Sequence, residues 1–212
     1  MSRGRFITLE GIEGAGKSTA TQFVAATLRA AGVSVLTTRE PGGTPLAERV
    51  RQIVLERGTE VVSPMTETLL MFAARALHVA NVIGPALARG EWVVCDRFTD
   101  ATRAYQGSAR GVDAALIEEL ARAVHGDLSP DLTLLLDLEV AEGLRRARAR
   151  TGSITDRFEA ETVSFFEKVR QGYLEVARRE SARITRIEAG APLPQVQAQI
   201  AAALARLLPP AS

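Results

Sequence analysis

The string Gly11-Ile12-Glu13-Gly14-Ala15-Gly16-Lys17-Ser18 narrows what this chain can fold into more than any other feature. It matches G-x-x-x-x-G-K-[ST] and lies between a short apolar run, Phe6 to Leu9, and a stretch that reads as a helix from Lys17 to Ala31. Strand, glycine-rich turn and helix in that order make a phosphate cradle. The glycines let the backbone curl until its N–H groups point inward, and the helix start adds partial positive charge. Lys17 is then placed for the β- and γ-phosphates, and Ser18 for a magnesium ion. The nucleotide-binding run is expected to extend from Gly11 through Ile12, Glu13, Gly14, Ala15, Gly16, Lys17 and Ser18 to Thr19. A nucleoside triphosphate is the implied ligand.

Further along, short β-branched or leucine runs alternate with Ala/Leu/Arg-rich segments. Val33 to Thr37, Trp92 to Asp96, Leu132 to Leu138 and Arg183 to Glu188 read as four more strands. Helices are expected at Leu46 to Glu56, Pro64 to Arg89 with a bend at Gly84-Pro85, and Asp113 to Val124 with an aspartate cap. Three more are expected at Val140 to Arg150, Glu159 to Ser181 and Leu193 to Leu208. Five apolar strands separated by helices imply an α/β fold, a parallel sheet flanked by helices on both faces.

The chain has 212 residues, enough for one domain with a small mobile insert. Its 26 Lys and Arg nearly cancel 25 Asp and Glu, for a net charge of +1. That argues against a nucleic-acid partner and requires phosphate-handling charge to be placed locally. One cysteine, Cys95, leaves no internal disulfide framework, and inside a strand it reads as a small apolar filler. With no signal-like segment and no run of about 18 apolar residues, the expectation is a cytoplasmic protein without membrane attachment. An Asn-Lys-x-Asp guanine reader is absent, so a signalling GTPase is excluded. Kinases of small metabolites and a few ATP-dependent ligases remain.

In a parallel sheet, ligands bind at the carboxyl ends of the strands. The second strand runs into Arg39-Glu40-Pro41-Gly42-Gly43-Thr44 and the third delivers Asp96-Arg97. Arg39 and Arg97 are candidates to clamp an anion from neighbouring loops. Asp96 is a candidate metal- or water-holding carboxylate. Phe72 and Arg75 are three apart on one helix, a spacing that suits a ring stacked on a base and a guanidinium reading its edge. Taken by itself, Phe72 also reads as a core residue. His78 is expected at the helix surface or an interface, and neither it nor His125 is given a catalytic role.

Taken in order, Phe6 to Gly11 with the phosphate loop, Arg39-Glu40-Pro41-Gly42-Gly43-Thr44, Phe72-Ala73-Ala74-Arg75, Asp96-Arg97 and Ala104-Tyr105-Gln106-Gly107 resemble bacterial thymidylate kinase from the first strand to the last helix. The resemblance implies a nucleoside-monophosphate-kinase-like fold with a mobile lid. It also implies a homodimer and transfer of the γ-phosphoryl group of ATP to dTMP with Mg²⁺, giving dTDP and ADP. On the acceptor side it implies that Phe72 stacks on thymine, Arg75 bonds its edge carbonyl, and Thr102 and Gln106 complete the base pocket. Tyr105 is implied under the sugar, where it excludes a 2′-hydroxyl, and Glu13 at the acceptor's 3′-hydroxyl. Arg97, with Arg39 assisting, is implied to hold the acceptor phosphate. Many members carry Asn or Ser where this chain has Ala101 and Thr102.

Leu144 to Arg157 holds five arginines and one aspartate, the most basic window in a nearly neutral chain. Arg146 and Arg150 are four apart, where like charges repel, so an anion is the natural partner. Phosphoryl transfer needs positive charge over the equatorial oxygens, and the phosphate loop itself carries no basic residue ahead of Lys17. The resemblance therefore implies that a lid of about residues 148–157 supplies it, with Arg148, Arg150 and Arg157 as candidates beside Lys17 and Arg97. Alternatives are a kinase for another nucleotide or deoxynucleoside, and a nucleotide-binding regulator without transfer activity.

Overall fold

The computed structural model describes residues 3–151, 157–158 and 161–208. Its sheet has five parallel strands, β1 (Phe6–Glu10), β2 (Val35–Arg39), β3 (Trp92–Asp96), β4 (Leu132–Asp137) and β5 (Ile184–Glu188), in the order β2-β3-β1-β4-β5. Every residue of β1 and β4 is buried, as expected where helices cover both faces. The flanking helices are α1 (Lys17–Ala30), α2 (Pro45–Leu55), α3 (Pro64–His78), α4 (Gly84–Ala88), α5 (Thr99–Thr102), α6 (Ala114–His125), α7 (Val140–Thr151), α8 (Val163–Arg179) and α9 (Leu193–Ala205).

The register decides where a site forms. Leu9 pairs with Asp96, and Asp96 pairs with Arg39 on its other side, so the ends of β1, β3 and β2 come out together. The phosphate loop leaves β1 at that edge. Because β1 is central, the chain turns to opposite sides of it at neighbouring strands, the topology that opens a crevice.

Helix boundaries follow local chemistry. Thr44, Ser63, Asp113 and Thr162 each accept a backbone N–H with the side chain at the starts of α2, α3, α6 and α8. The helix expected from Glu159 accordingly starts at Val163, after the Thr162 cap. The expected bend of the Pro64–Arg89 helix appears as a π-helical turn at Val79–Ile83, just before Gly84-Pro85. Pro85 lacks an N–H and crowds the preceding turn, and a wider turn accommodates it. A second π-helical segment, Arg103–Ala109, continues α5 where no element was expected. Gly172 of α8 lets this segment approach closely. A Cβ there would lie 3.2 Å from Ala104 Cα and meet the Ser108 side chain.

Candidate active site

α1 begins at Gly16 with a left-handed backbone (φ 91°) and no side-chain cap, so its first N–H groups remain available to an anion. Gly14, at φ 73°, lies against Gly143 of α7 so closely that a Cβ would strike its carbonyl. Ile12 and Ala15 turn their side chains into the core and offer only backbone. Lys17 is folded over the loop, its Nζ donating to the carbonyls of Gly11 (3.0 Å) and Ile12 (2.9 Å). Burial, and then the neighbouring Arg97, push its pKa down to about 8. Ser18 and Thr19 are exposed beside it.

Across the crevice, Arg97 leaves the end of β3 with φ 72°, the one positive φ outside glycine among the described residues. Its guanidinium donates to the Gly11 carbonyl (2.9 Å), the Tyr173 hydroxyl (3.0 Å) and Glu13 Oε1 (2.9 Å). It also stands 4.9 Å from the centre of the Tyr105 ring. The Tyr105 hydroxyl donates to the other oxygen of Glu13 (2.7 Å). Glu13, Arg97 and Tyr105, expected at one ligand from separate segments, are thus in mutual contact.

Deeper in, Arg75 is nearly buried. Its Nε donates to Glu40 Oε2 (2.7 Å), and Nη1 and Nη2 each reach the Thr102 hydroxyl (3.2 Å). His78 Nδ1 bonds Glu40 Oε1 (3.0 Å), and its Nε2 bonds Thr38 Oγ1 (2.7 Å). His78 is therefore not a surface residue; it is 0% exposed, and Glu40 links it to Arg75. Gln106 donates to Glu67 (2.6 Å).

These groups surround one cavity of about 540 Å³. Its wall includes Glu13, Gly14, Gly16, Lys17, Ser18 and Thr19 of the phosphate loop. Arg39, Arg75, Asp96, Arg97, Thr102, Tyr105 and Gln106 also line it. Phe72 does not belong to it. The Phe72 ring is 2% exposed and packs with Ile117 and Ala121 of α6, with the Arg75 guanidinium 4.9 Å above it. Phe72 is a core residue, and Met71 takes the place in the wall that had been expected of it.

A thymidylate kinase family profile matches residues 9–200. The chain belongs to the thymidylate kinase family. It is 54% identical over 205 residues to thymidylate kinase of Teredinibacter turnerae, covering 97% of this chain and 99% of that one. It is 59% identical over 205 residues to thymidylate kinase of Pseudomonas syringae pathovar syringae, covering 97% of each. Its fold matches the crystal structure of thymidylate kinase from Ehrlichia chaffeensis with a TM-score of 0.76 at 31% identity, over 95% of this chain and 99% of that one.

This member of the family also brings residues to the cavity that its motifs do not mark. Arg51 of α2 lines it and donates to the Pro41 carbonyl (3.0 Å). Burial and the nearby charge of Arg39 lower its pKa, with Arg97 adding to the effect. Arg51 therefore joins Arg39 and Arg97, the two expected, in the cavity wall. A mid-helix arginine such as Arg51 carries no local signal that distinguishes it from a solvated one.

Arg146 also lines the cavity, bonding Glu142 (2.7 Å) and the Ala189 carbonyl (3.2 Å). The anion that balances it is on its own helix, just ahead of the basic window. Arg148 is exposed and stands outside the cavity wall. Arg157 is bound to Glu67 (2.6 Å) and to the Val54 carbonyl (3.1 Å), also outside that wall. The side chain of Arg150 and lid residues 152–156 lie outside the described residues.

Proposed function

We propose that this chain transfers the γ-phosphoryl group of ATP to dTMP, giving dTDP and ADP for dTTP synthesis. One observation carries the reading: a single cavity is lined both by the phosphate loop with Lys17 and Ser18 and by Arg75, Arg97 and Tyr105. Such a cavity suits two nucleotides facing each other across the transferred group.

The donor's phosphates lie on the loop N–H groups from Gly11 to Thr19, with Lys17 released from its carbonyl partners to the β- and γ-phosphates. Arg97, with Arg39 and Arg51, holds the acceptor phosphate. An oxygen of that phosphate is already anionic at neutral pH, so attack requires alignment and charge neutralisation rather than a strong base. Glu13 takes the acceptor's 3′-hydroxyl, and the Tyr105 ring beside it leaves little room for a 2′-hydroxyl. Arg75 and Thr102 address the base edge, Gln106 completes that pocket, and Met71 offers the apolar face. Arg148, Arg150 and Arg157 remain the lid candidates for charge over the γ-phosphoryl oxygens, within a chain read as one catalytic domain.

Mg²⁺ fits here. Among the described residues Asp96 Oδ1 is buried without a hydrogen-bond partner, on the cavity wall shared with the Ser18 hydroxyl. Among the described residues no cluster of three or more His, Cys, Asp or Glu is arranged for a metal. Two oxygen ligands match an ion that takes the rest of its coordination from phosphate and water. Bound there, it would neutralise phosphate charge.

The protein is read as a cytoplasmic homodimer with no nucleic-acid or membrane partner. The helical stretch Pro64–Ala88 has the length and hydropathy of a membrane span, but its Glu67, Arg75 and His78 form polar bonds inside the fold. Its outward face is better covered by a second copy. An ADP-release assay across dTMP, dUMP, dCMP, dGMP and thymidine tests the activity. dTMP is expected to give the highest kcat/KM; a preference for another acceptor, or no transfer to any, contradicts the reading.

A further inference from the structure

Arg97 occupies a backbone conformation that costs a non-glycine residue energy, so something must hold it there. The flanking peptides are pinned to β1: Arg97 N–H donates to the Leu9 carbonyl (2.9 Å) and Phe98 N–H to Glu10 Oε1 (2.7 Å). Among the described residues the side chain has three polar partners. Gly11 belongs to the phosphate loop, and Glu13 has the sugar hydroxyl to serve. The third, Tyr173 of α8, has no role in the reading above.

The Tyr173 hydroxyl donates to the second oxygen of Glu10 (2.8 Å) and accepts from Arg97 Nη1 (3.0 Å). Its ring is buried, edge-on to Tyr105 with centroids 6.2 Å apart. Gly172 beside it is what lets α8 come this close. Burial, reinforced by the Glu10 carboxyl, holds the Tyr173 pKa well above its ordinary value, so the hydroxyl keeps its proton. With that proton committed to Glu10, a lone pair is left facing Arg97.

We propose that Tyr173, backed by Glu10, is a positioning residue that fixes the Arg97 guanidinium for the acceptor phosphate. The proposal rests on Arg97 being the phosphate's partner. A phosphate at Nη2 competes with Glu13 for the same donor and repels that carboxylate. Tyr173 is neutral and sits on Nη1, so it keeps the guanidinium plane in place while the partner at Nη2 changes. One β1 glutamate therefore sets both the turn that presents Arg97 and the tyrosine that orients it.

Tyr173→Phe removes a single hydroxyl and keeps the ring. Calorimetric titration with dTMP and with thymidine separates the phosphate contribution from the rest of the acceptor. The dTMP Kd is expected to rise about tenfold, the loss of one hydrogen bond to a charged group, while the thymidine Kd and the KM for ATP stay within about twofold. Equal weakening of dTMP and thymidine would mean that the hydroxyl only supports the fold, and overturns the proposal. So does an unchanged dTMP Kd in Tyr173→Phe when Arg97→Ala weakens dTMP but not thymidine. If Arg97→Ala leaves the dTMP Kd unchanged, the role of Arg97 fails and the proposal with it.

Discussion

Arg75 has two neighbours on its own helix within reach, Phe72 three residues before it and Met71 four before it. At 3.6 residues per turn these lie about 60° to one side of Arg75 and about 40° to the other. Spacing alone puts both near the guanidinium and does not say which side faces the ligand. The packing of α3 on α6 decides it, turning Phe72 toward Ile117 and Met71 toward the cavity. Aromatic identity pointed to Phe72, because an aromatic ring is the stronger stacking group. The two positions are therefore expected to respond in opposite ways. Phe72→Ala should destabilise the fold by about 3–5 kcal/mol in denaturant unfolding. Met71→Ala should leave stability nearly intact and raise the KM for dTMP about tenfold, with the KM for ATP unchanged. A dTMP effect at Phe72 with none at Met71 would restore the stacking role to the ring.

Of the elements, those whose signal is local were legible. The phosphate loop, the strands and the Asp113 cap depend on a few consecutive residues; the structure has all five strands within two residues of their expected bounds, β2 beginning at Val35 rather than Val33 and taking in Arg39. The π-helical segment Arg103–Ala109 was not legible, because it is held by its packing on α8 rather than by a sequence signature of its own. Tyr173 escaped notice for the same reason: its partners are on β1 and β3, far away in the chain.

For the proposed homodimer, burial separates the two long apolar helical stretches, α8 and Pro64–Ala88. α8 turns Phe165, Phe166, Val169, Tyr173 and Val176 into the core. The Pro64–Ala88 stretch has a mean hydropathy of 1.4 over its most apolar window, yet only 33% of that window is buried. Met65, Leu69, Ala73 and Ala80 are exposed along it, a stripe of the kind an interface covers. Ala73→Arg is expected to convert a dimer to a folded monomer by sedimentation equilibrium. A monomeric parent, or a variant that stays dimeric, would remove α3 from the interface.

For the molecule as a whole, near-neutral charge concealed an uneven distribution. Lys17, Arg39, Arg51, Arg75, Arg97 and Arg146 all line the one cavity. The sheet order β2-β3-β1-β4-β5 produces this arrangement by bringing the ends of β1, β2 and β3 to one edge. Strand number and parallelism could be read from the alternation of elements. The meeting of Arg51, Met71 and Tyr173 around that edge could not, since it depends on how α2, α3 and α8 lie across the sheet.

Donor and acceptor nucleotides are proposed to share this one cavity, phosphate to phosphate. A crystal structure with dTMP, Mg²⁺ and a non-hydrolysable ATP analogue tests it most directly. The predicted result is a triphosphate on the start of α1, with Lys17 at its γ end. The dTMP phosphate should lie on Arg97 in line with that end, and thymine between Met71 and Arg75. A dTMP bound outside the cavity, or a γ-phosphate turned away from the dTMP phosphate, would contradict it.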